Sequence, residues 1–224
     1  MRSFRGLVFD FDGLIVDTEW PDYLAWQEIY AARGQELPLS DWLAQVGMGA
    51  DRIAFDPHGH LETLIGERLE RDEVRTRRRA RVIDLVSREE VCLGVREVIS
   101  EAQGLGLKLA VASSSPRAWV SSHLDRLGLW SVFDCVCCAE DVARTKPDPE
   151  LYLVAVARLG TAPAEALAFE DSPNGLRAAK AAGLRCVAVP NRLTAGLSFA
   201  EADLVLPSLA GVSLGSLLNL PEGG

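Results

Sequence analysis

From residue 108 onward, short apolar runs rich in β-formers alternate with stretches of helical periodicity. The runs are "KLAVAS" (108 to 113), "CVCCA" (135 to 139), "ALAFED" (166 to 171), "RCVAVP" (185 to 190) and "DLVLP" (203 to 207), and a sixth, "LVFDF" (7 to 11), opens the chain. The helical stretches cover 116 to 127, 149 to 159 and 174 to 182. Regular alternation of this kind predicts an α/β protein with a parallel sheet covered on both faces. "SSP" (114 to 116), "PDP" (147 to 149) and "DSP" (171 to 173) each place Ser or Asp at an N-cap and Pro at the first helical position, and Gly183 closes the last helix.

One interval breaks the rhythm. About 95 residues separate the first two strands, far more than one crossover helix needs. Helices are predicted at 20 to 33 and 72 to 86, with shorter pieces at 40 to 46 and 59 to 69. The expected organisation is a sheet domain built from 1–16 and 89–224, carrying a helical insert over 17–88 on two linkers.

The polar residues that interrupt the apolar runs fall at the strand ends. Asp10 and Asp12 end the first, Ser113 the second and Glu170 with Asp171 the fourth, while Lys146 follows the third. In an open parallel sheet the ligand crevice lies at these carboxyl ends. Asp and Ser are ordinary turn residues singly; four successive strands ending this way point to a site. Converging carboxylates repel unless a cation holds them, and an all-oxygen set suits Mg²⁺. Helix N-termini beside Ser114 and Ser172, together with Lys146, would receive a phosphoryl group.

Composition narrows the class. The chain has 224 residues, 48% hydrophobic and 25% charged, which suits a globular protein whose core needs no disulfide or structural metal. A net charge of -9 argues against a nucleic-acid partner. No apolar run is long enough for a membrane span and no secretory leader is expected. Five cysteines cannot all pair; Cys135 and Cys138 have C-x-x-C spacing, but in a strand positions three apart face opposite ways. A reduced, cytoplasmic and monomeric protein is expected.

The motifs "DFDG", "VASSS", "TKPDP" and "FEDSPNG" together resemble the haloacid dehalogenase-like superfamily over nearly the whole chain. "DGLIVDTE" followed by a helical insert is similar to the subgroup of β-phosphoglucomutases and small sugar-phosphate phosphatases. The resemblance implies a Rossmann-like core of strand order 5-4-1-2-3 with a mobile helical cap. It makes Asp10 the nucleophile that becomes an aspartyl phosphate and Asp12 the general acid and base. Mg²⁺ would be bound by Asp10, the Asp12 carbonyl, Asp171 and, directly or through water, Glu170. Ser113 and Lys146 would hold the transferring oxygens.

Asp12 argues against dehalogenation, since a departing halide needs no proton. A non-catalytic phosphate-binding protein on the same fold is a separate alternative. In mutases of the resembling subgroup a cap loop "K-G-x-S-R" grips a distal phosphate. Here "VGMGADR" keeps Gly47 but has Val46 and Ala50 at the basic positions, with Arg52 two residues late. The expectation is a Mg²⁺-dependent phosphatase of a small phosphorylated metabolite, with the mutase as alternative, and with Ser114, Gly47 and Arg52 as candidate substrate contacts. His58 and His60, with Asp56 and Glu62, are read as exposed polar loop residues and not a metal site. His123 is read as a helix-surface residue. The run Arg75 to Arg81 is read first as a solvated helix face, supported by acids four residues upstream such as Glu73 before Arg77, with one or two arginines facing the crevice as the alternative.

Overall fold

The structure is a computed structural model that describes residues 4–49 and 55–219. Strand β1 (Gly6–Phe9) is followed by helices α1 (Glu19–Ala31), α2 (Leu39–Leu43), α3 (Pro57–Ile65) and α4 (Arg71–Val86). The chain then forms α5 (Val95–Gly104), β2 (Lys108–Ala112), α6 (Arg117–Arg126), β3 (Cys135–Cys137), α7 (Glu150–Leu159) and β4 (Ala166–Glu170). It ends with α8 (Pro173–Ala181), β5 (Arg185–Ala188), β6 (Leu204–Val205) and α9 (Leu214–Leu218). The strands make one parallel sheet in the order β3-β2-β1-β4-β5-β6. The expected order 5-4-1-2-3 is present, and the run "DLVLP" adds a sixth strand beyond β5.

The strands are continuous apolar runs because both faces are buried. One face presents Leu7, Phe9, Leu109, Val111, Leu167 and Phe169 to α5 and α6. The other presents Val8, Ala110 and Ala168, small residues under the Tyr152 and Ala155 face of α7 and the Ala178 and Ala179 face of α8. Phe9 is level with Val111 on one side and Phe169 on the other, so β1, β2 and β4 deliver their next residues to one edge.

Two helix starts differ from expectation. Pro116 and Pro149 occupy the position before the first helical residue, whereas Pro173 does stand at the start of α8 behind a capping Ser172. Ser172 Oγ accepts from the Gly175 N–H at 3.1 Å. Gly183, at φ +83°, follows α8 as expected. Helix α5 was not foreseen; it buries Val95, Val98, Ile99 and Ala102.

Helices α1 to α4 pack around their own aromatic-rich cluster, including Tyr23, Trp26, Tyr30, Trp42, Val46 and Leu61. The linkers meet where Val16 bridges Val91 antiparallel and the Cys92 N–H donates to the Ile15 carbonyl at 2.9 Å. His58 and His60 are not loop residues: they lie in α3, His58 edge-on to Trp26 at 4.7 Å and His60 Nδ1 2.9 Å from the Tyr30 hydroxyl. His123 is buried against Trp119, 4.2 Å between ring centroids, and not on the helix surface. Burial lowers the pKa of both His58 and His123.

All five cysteines are free, and Cys135 and Cys138 enter opposite faces of the sheet. Arg81 pairs with Glu28 at 2.8 Å and Arg75 with Asp72 at 2.8 Å, while Arg77 lines a hollow with Glu73, Arg33 and Arg68. Arg78 pairs with Asp22 of α1 and lies over Trp26. Among the described residues no helix is long and apolar enough to cross a membrane.

Candidate active site

The sheet's level edge brings the strand-end residues together. The Asp10 N–H donates to the Phe169 carbonyl at 3.0 Å, which continues the β1–β4 ladder by one residue and fixes the Asp10 backbone beside Glu170. Lys146 comes across from the loop after β3. Its Nζ donates to Asp10 Oδ1 at 2.5 Å and Glu170 Oε1 at 2.7 Å, with all three side chains buried. The Tyr152 hydroxyl donates to the same Glu170 oxygen at 2.5 Å. Burial alone would lower the Lys146 pKa, but Asp10 and Glu170 outweigh it and raise it.

The carboxylates experience the opposite balance. Burial, then the Glu170 charge, pushes Asp10 up to about 7 despite Lys146. Burial and the Asp10 charge hold Asp171 well above the usual carboxylate range. Asp10, Glu170 and Asp171 offer oxygens all within 4.8 Å of one another. Asp171 Oδ2 accepts from Asn191 Nδ2 at 2.7 Å, whereas Oδ1 is buried with no hydrogen-bond partner. Ionising all three carboxylates against one ammonium would leave two negative charges, a repulsion that adds to burial in raising the pKa values of Asp10 and Asp171, and the buried Asp171 Oδ1 has no partner. A divalent hard cation answers both deficits, so the donor set fits Mg²⁺.

Close approach requires glycine at Gly13. Its φ is +87°, and a Cβ there would stand 2.2 Å from Asp171 Oδ2. The turn after Asp12 is thereby pressed against the carboxylate cluster.

Asp12 is held apart from that cluster. Its Oδ1 accepts from Thr18 Oγ1 at 2.7 Å and Trp119 Nε1 at 2.9 Å; its Oδ2 accepts from Ser115 Oγ at 2.7 Å and Ser113 Oγ at 3.1 Å. Ser113 is itself ordered by the Ser115 N–H, which donates to its hydroxyl, and by the Cys137 carbonyl, which accepts from its N–H. Ser114 Oγ lies 3.4 Å from the Gly47 carbonyl.

The chain after α2 reaches the crevice at Gly47. With φ +78° and a would-be Cβ 2.1 Å from Ser172 Oγ, only glycine permits this contact. Asn174 Nδ2 donates to the Val46 carbonyl at 2.8 Å from the first turn of α8. Val46, at the position where resembling mutases carry lysine, is buried among the apolar residues of the helical segment. Ala50 and Arg52 lie outside the described residues.

Of the sequence-predicted residues, the structure therefore gathers Asp10, Lys146, Glu170 and Asp171 directly, sets Asp12 beside Ser113, and places Ser114 and Gly47 at the rim. Sequence reasoning missed Glu19, Trp119, Tyr152 and Asn191. Burial first, then the neighbouring acid Asp12, raises the Glu19 pKa well above normal, which marks it as a crevice group. Asn191 follows the end of β5, so the strand-end rule that flagged the others would have found it. Trp119 and Tyr152 carry no such signal, because on a helix they read as core.

A model of the haloacid dehalogenase-like hydrolases matches residues 4–183. The chain is 46% identical over 215 residues to a protein of Bacillus subtilis named putative phosphatase YhcW, covering 96% of both chains. Protein CbbY of Rhodobacter capsulatus is 33% identical over 230 residues, covering 98% of this chain and 100% of that one. A crystal structure of a CbbY mutant from Rhodobacter sphaeroides in complex with xylulose-(1,5)bisphosphate superposes with a TM-score of 0.75 at 28% identity, covering 96% of this chain and 99% of that one.

Proposed function

The chain belongs to the haloacid dehalogenase-like hydrolases and is a phosphatase of small phosphate esters, and from that premise we propose that Asp10 accepts the phosphoryl group and Asp12 handles the protons. The observation that carries this reading is the buried set of Asp10, Lys146 and Glu170 beside the unpartnered Asp171 oxygen.

Lys146 holds Asp10 by Oδ1 and so fixes the carboxylate in one orientation for attack on phosphorus. Its charge also offsets that of the incoming phosphate oxygens. Ser113 and Ser114 stand at the end of β2, where their hydroxyls and the following N–H groups can hold phosphate oxygens. Asp12 delivers a proton to the departing oxygen and then draws one from water, after leaving some of the four donors that now hold it. Asp10, Asp171 and the Asp12 carbonyl would hold Mg²⁺, with Glu170 adjacent, and the ion would neutralise charge on the transferring group.

Burial of Val46 supports hydrolysis over mutase chemistry. An apolar side chain packed into the helical segment offers no grip on a second phosphate, and a mutase must hold its bisphosphate long enough to exclude water. Glu19 and the rim at Gly47 support a hydroxylated substrate such as a phosphorylated sugar or polyol, and the xylulose-(1,5)bisphosphate held by the CbbY mutant is of that class. The free thiols support a reducing, cytoplasmic setting. The test is phosphate release from a panel of sugar phosphates, phosphoglycolate and nucleotides, with Mg²⁺ and then with EDTA. We expect Mg²⁺-dependent release from one or more sugar or polyol monoesters. Primer-dependent conversion of β-glucose 1-phosphate to glucose 6-phosphate without phosphate release would overturn hydrolysis in favour of the mutase.

A further inference from the structure

We propose that the loop Asn191 to Thr194, just after β5, ties the metal site to the linkers of the helical segment, with Asn191 and Arg192 as positioning residues. This rests on Asp171 being a metal ligand. Three consecutive residues of the loop touch three different parts of the molecule.

Asn191 touches the carboxylate cluster. Its Oδ1 accepts from the Leu193 N–H at 2.8 Å and the Thr194 N–H at 3.1 Å, and its own N–H donates to the buried Thr194 Oγ1 at 3.0 Å. With the amide oxygen committed to the loop, Nδ2 faces outward and donates to Asp171 Oδ2 at 2.7 Å. The amide therefore fixes which Asp171 oxygen is satisfied by protein, and leaves Oδ1 to the cation.

Arg192 touches both linkers. Its Nε donates to Asp17 Oδ2 at 2.8 Å, its Nη2 lies 3.6 Å from Glu89 Oε1, and its guanidinium is 4.7 Å from the Trp20 ring centroid. Asp17 stands on the way into the helical segment and Glu89 on the way out, so one side chain spans the pair. Leu193 then inserts into the aromatic-rich cluster of the helical segment and is 5% exposed. Trp20 and Asp17 are joined in turn, since the Trp20 N–H donates to Asp17 Oδ1 at 3.1 Å.

A rotation of the helical segment about its linkers moves the partners of Arg192 and Leu193. Asn191, bonded to the backbone of Leu193 and Thr194, has no independent freedom, so the motion reaches Asp171. Linkage requires the converse: a cation held by Asp171 restrains the linkers. The effect is modest in size because Arg192 is about half exposed and such pairs are weak individually.

The test compares wild type, Arg192→Gln, Asn191→Ala and Asp171→Asn, each in full-length protein. Two quantities are read: the Mg²⁺ concentration giving half of the thermal stabilisation, and hydrogen exchange of the linker amides at 13 to 19 and 89 to 92 with and without Mg²⁺. Arg192→Gln touches no carboxylate of the cluster, yet we expect it to raise the half-point about threefold and to abolish the Mg²⁺-dependent protection of the linkers seen in wild type. Asn191→Ala should raise the half-point further. An Arg192→Gln half-point equal to wild type, or linker exchange in wild type that ignores Mg²⁺, overturns the coupling. Asp171→Asn separates the two readings. If it binds Mg²⁺ as wild type does, the metal assignment fails and the coupling with it; if it loses Mg²⁺ while Arg192→Gln does not, only the coupling fails.

Discussion

At the strand ends Lys146 sits between Asp10 and Glu170 with about 1% of its side chain exposed, while on α4 Arg81 holds Glu28 with both partners about two-fifths exposed. Both are short ion pairs, but they differ in what replaces them when they break. Water solvates Arg81 and Glu28 at once. It cannot reach Lys146, so loss of a partner there strands a charge in the sheet core. The first region is held to one geometry by the cost of every alternative, whereas the second can exchange partners with little penalty. A site for chemistry needs the former, and an exposed helix face tolerates the latter.

The most severe way to break this contrast is chemical. Asp10→Asn should abolish detectable turnover in an assay of phosphate release, since an amide cannot form the phosphoenzyme. Turnover within threefold of wild type would remove Asp10 as nucleophile. Asp12→Asn should lose roughly 10² to 10⁴ in rate, less completely because the nucleophile remains.

Next comes stability. Lys146→Ala leaves Asp10 and Glu170 facing each other without a cation in the core, and should cost about 3 to 5 kcal/mol in a denaturant melt without metal. A loss below 1 kcal/mol would show that the pair is solvated in solution and that the contrast between the regions is false.

Smaller still is the dependence of metal stabilisation on pH. The folded Asp10 has its pKa raised from 3.8 to about 7. Between these values the native state therefore binds a proton that the unfolded state has released. By linkage its contribution to stability falls as pH rises from about 4 to about 7. Mg²⁺ competes with that proton, so the shift in melting temperature on adding Mg²⁺ should grow between pH 5.5 and 8. His58 and His123, whose pKa values are lowered, act in the opposite direction. They largely cancel when the melts with and without Mg²⁺ are subtracted. A Mg²⁺ shift that is flat with pH would mean the ion does not sit on Asp10.

The smallest effect belongs to the exposed pair. Arg81→Ala should move the melting temperature by no more than about 2 °C. A shift above 5 °C would make α4 a structural strut and blur the distinction between the regions.

The sheet and the carboxylate cluster were legible because they follow from chain order and one geometric rule. Apolar runs alternating with helices fix a parallel sheet, and parallel strands send their following residues to one edge. Asp10, Glu170 and Asp171 needed nothing more, whereas Lys146 reaches them from the long loop after β3. The partners of those residues were not legible. Tyr152 projects from α7 and Trp119 from α6, and no local pattern distinguishes an aromatic that donates to a carboxylate from one that only fills space. The two histidines of α3 misled because "DPHGH" has the composition of a loop; Asp56 instead caps the helix, accepting from the His58 N–H, and Pro57 begins it. Helix α5 escaped because its left-handed start at Gly94 carries none of the Ser or Asp signals that announced its neighbours.

The aromatic cluster has a use unrelated to holding the helical segment together. Of five tryptophans in the chain, Trp20, Trp26 and Trp42 lie in α1 and α2, and a fourth, Trp119, touches Asp12. The fifth, Trp130, follows α6 and is 40% exposed. The ultraviolet emission of this protein is consequently weighted toward the helical segment and its junction with the sheet domain, with the Trp20 indole under the Arg192 guanidinium. Rearrangement of that part can be followed in a stopped-flow fluorimeter on the natural chain, without a dye.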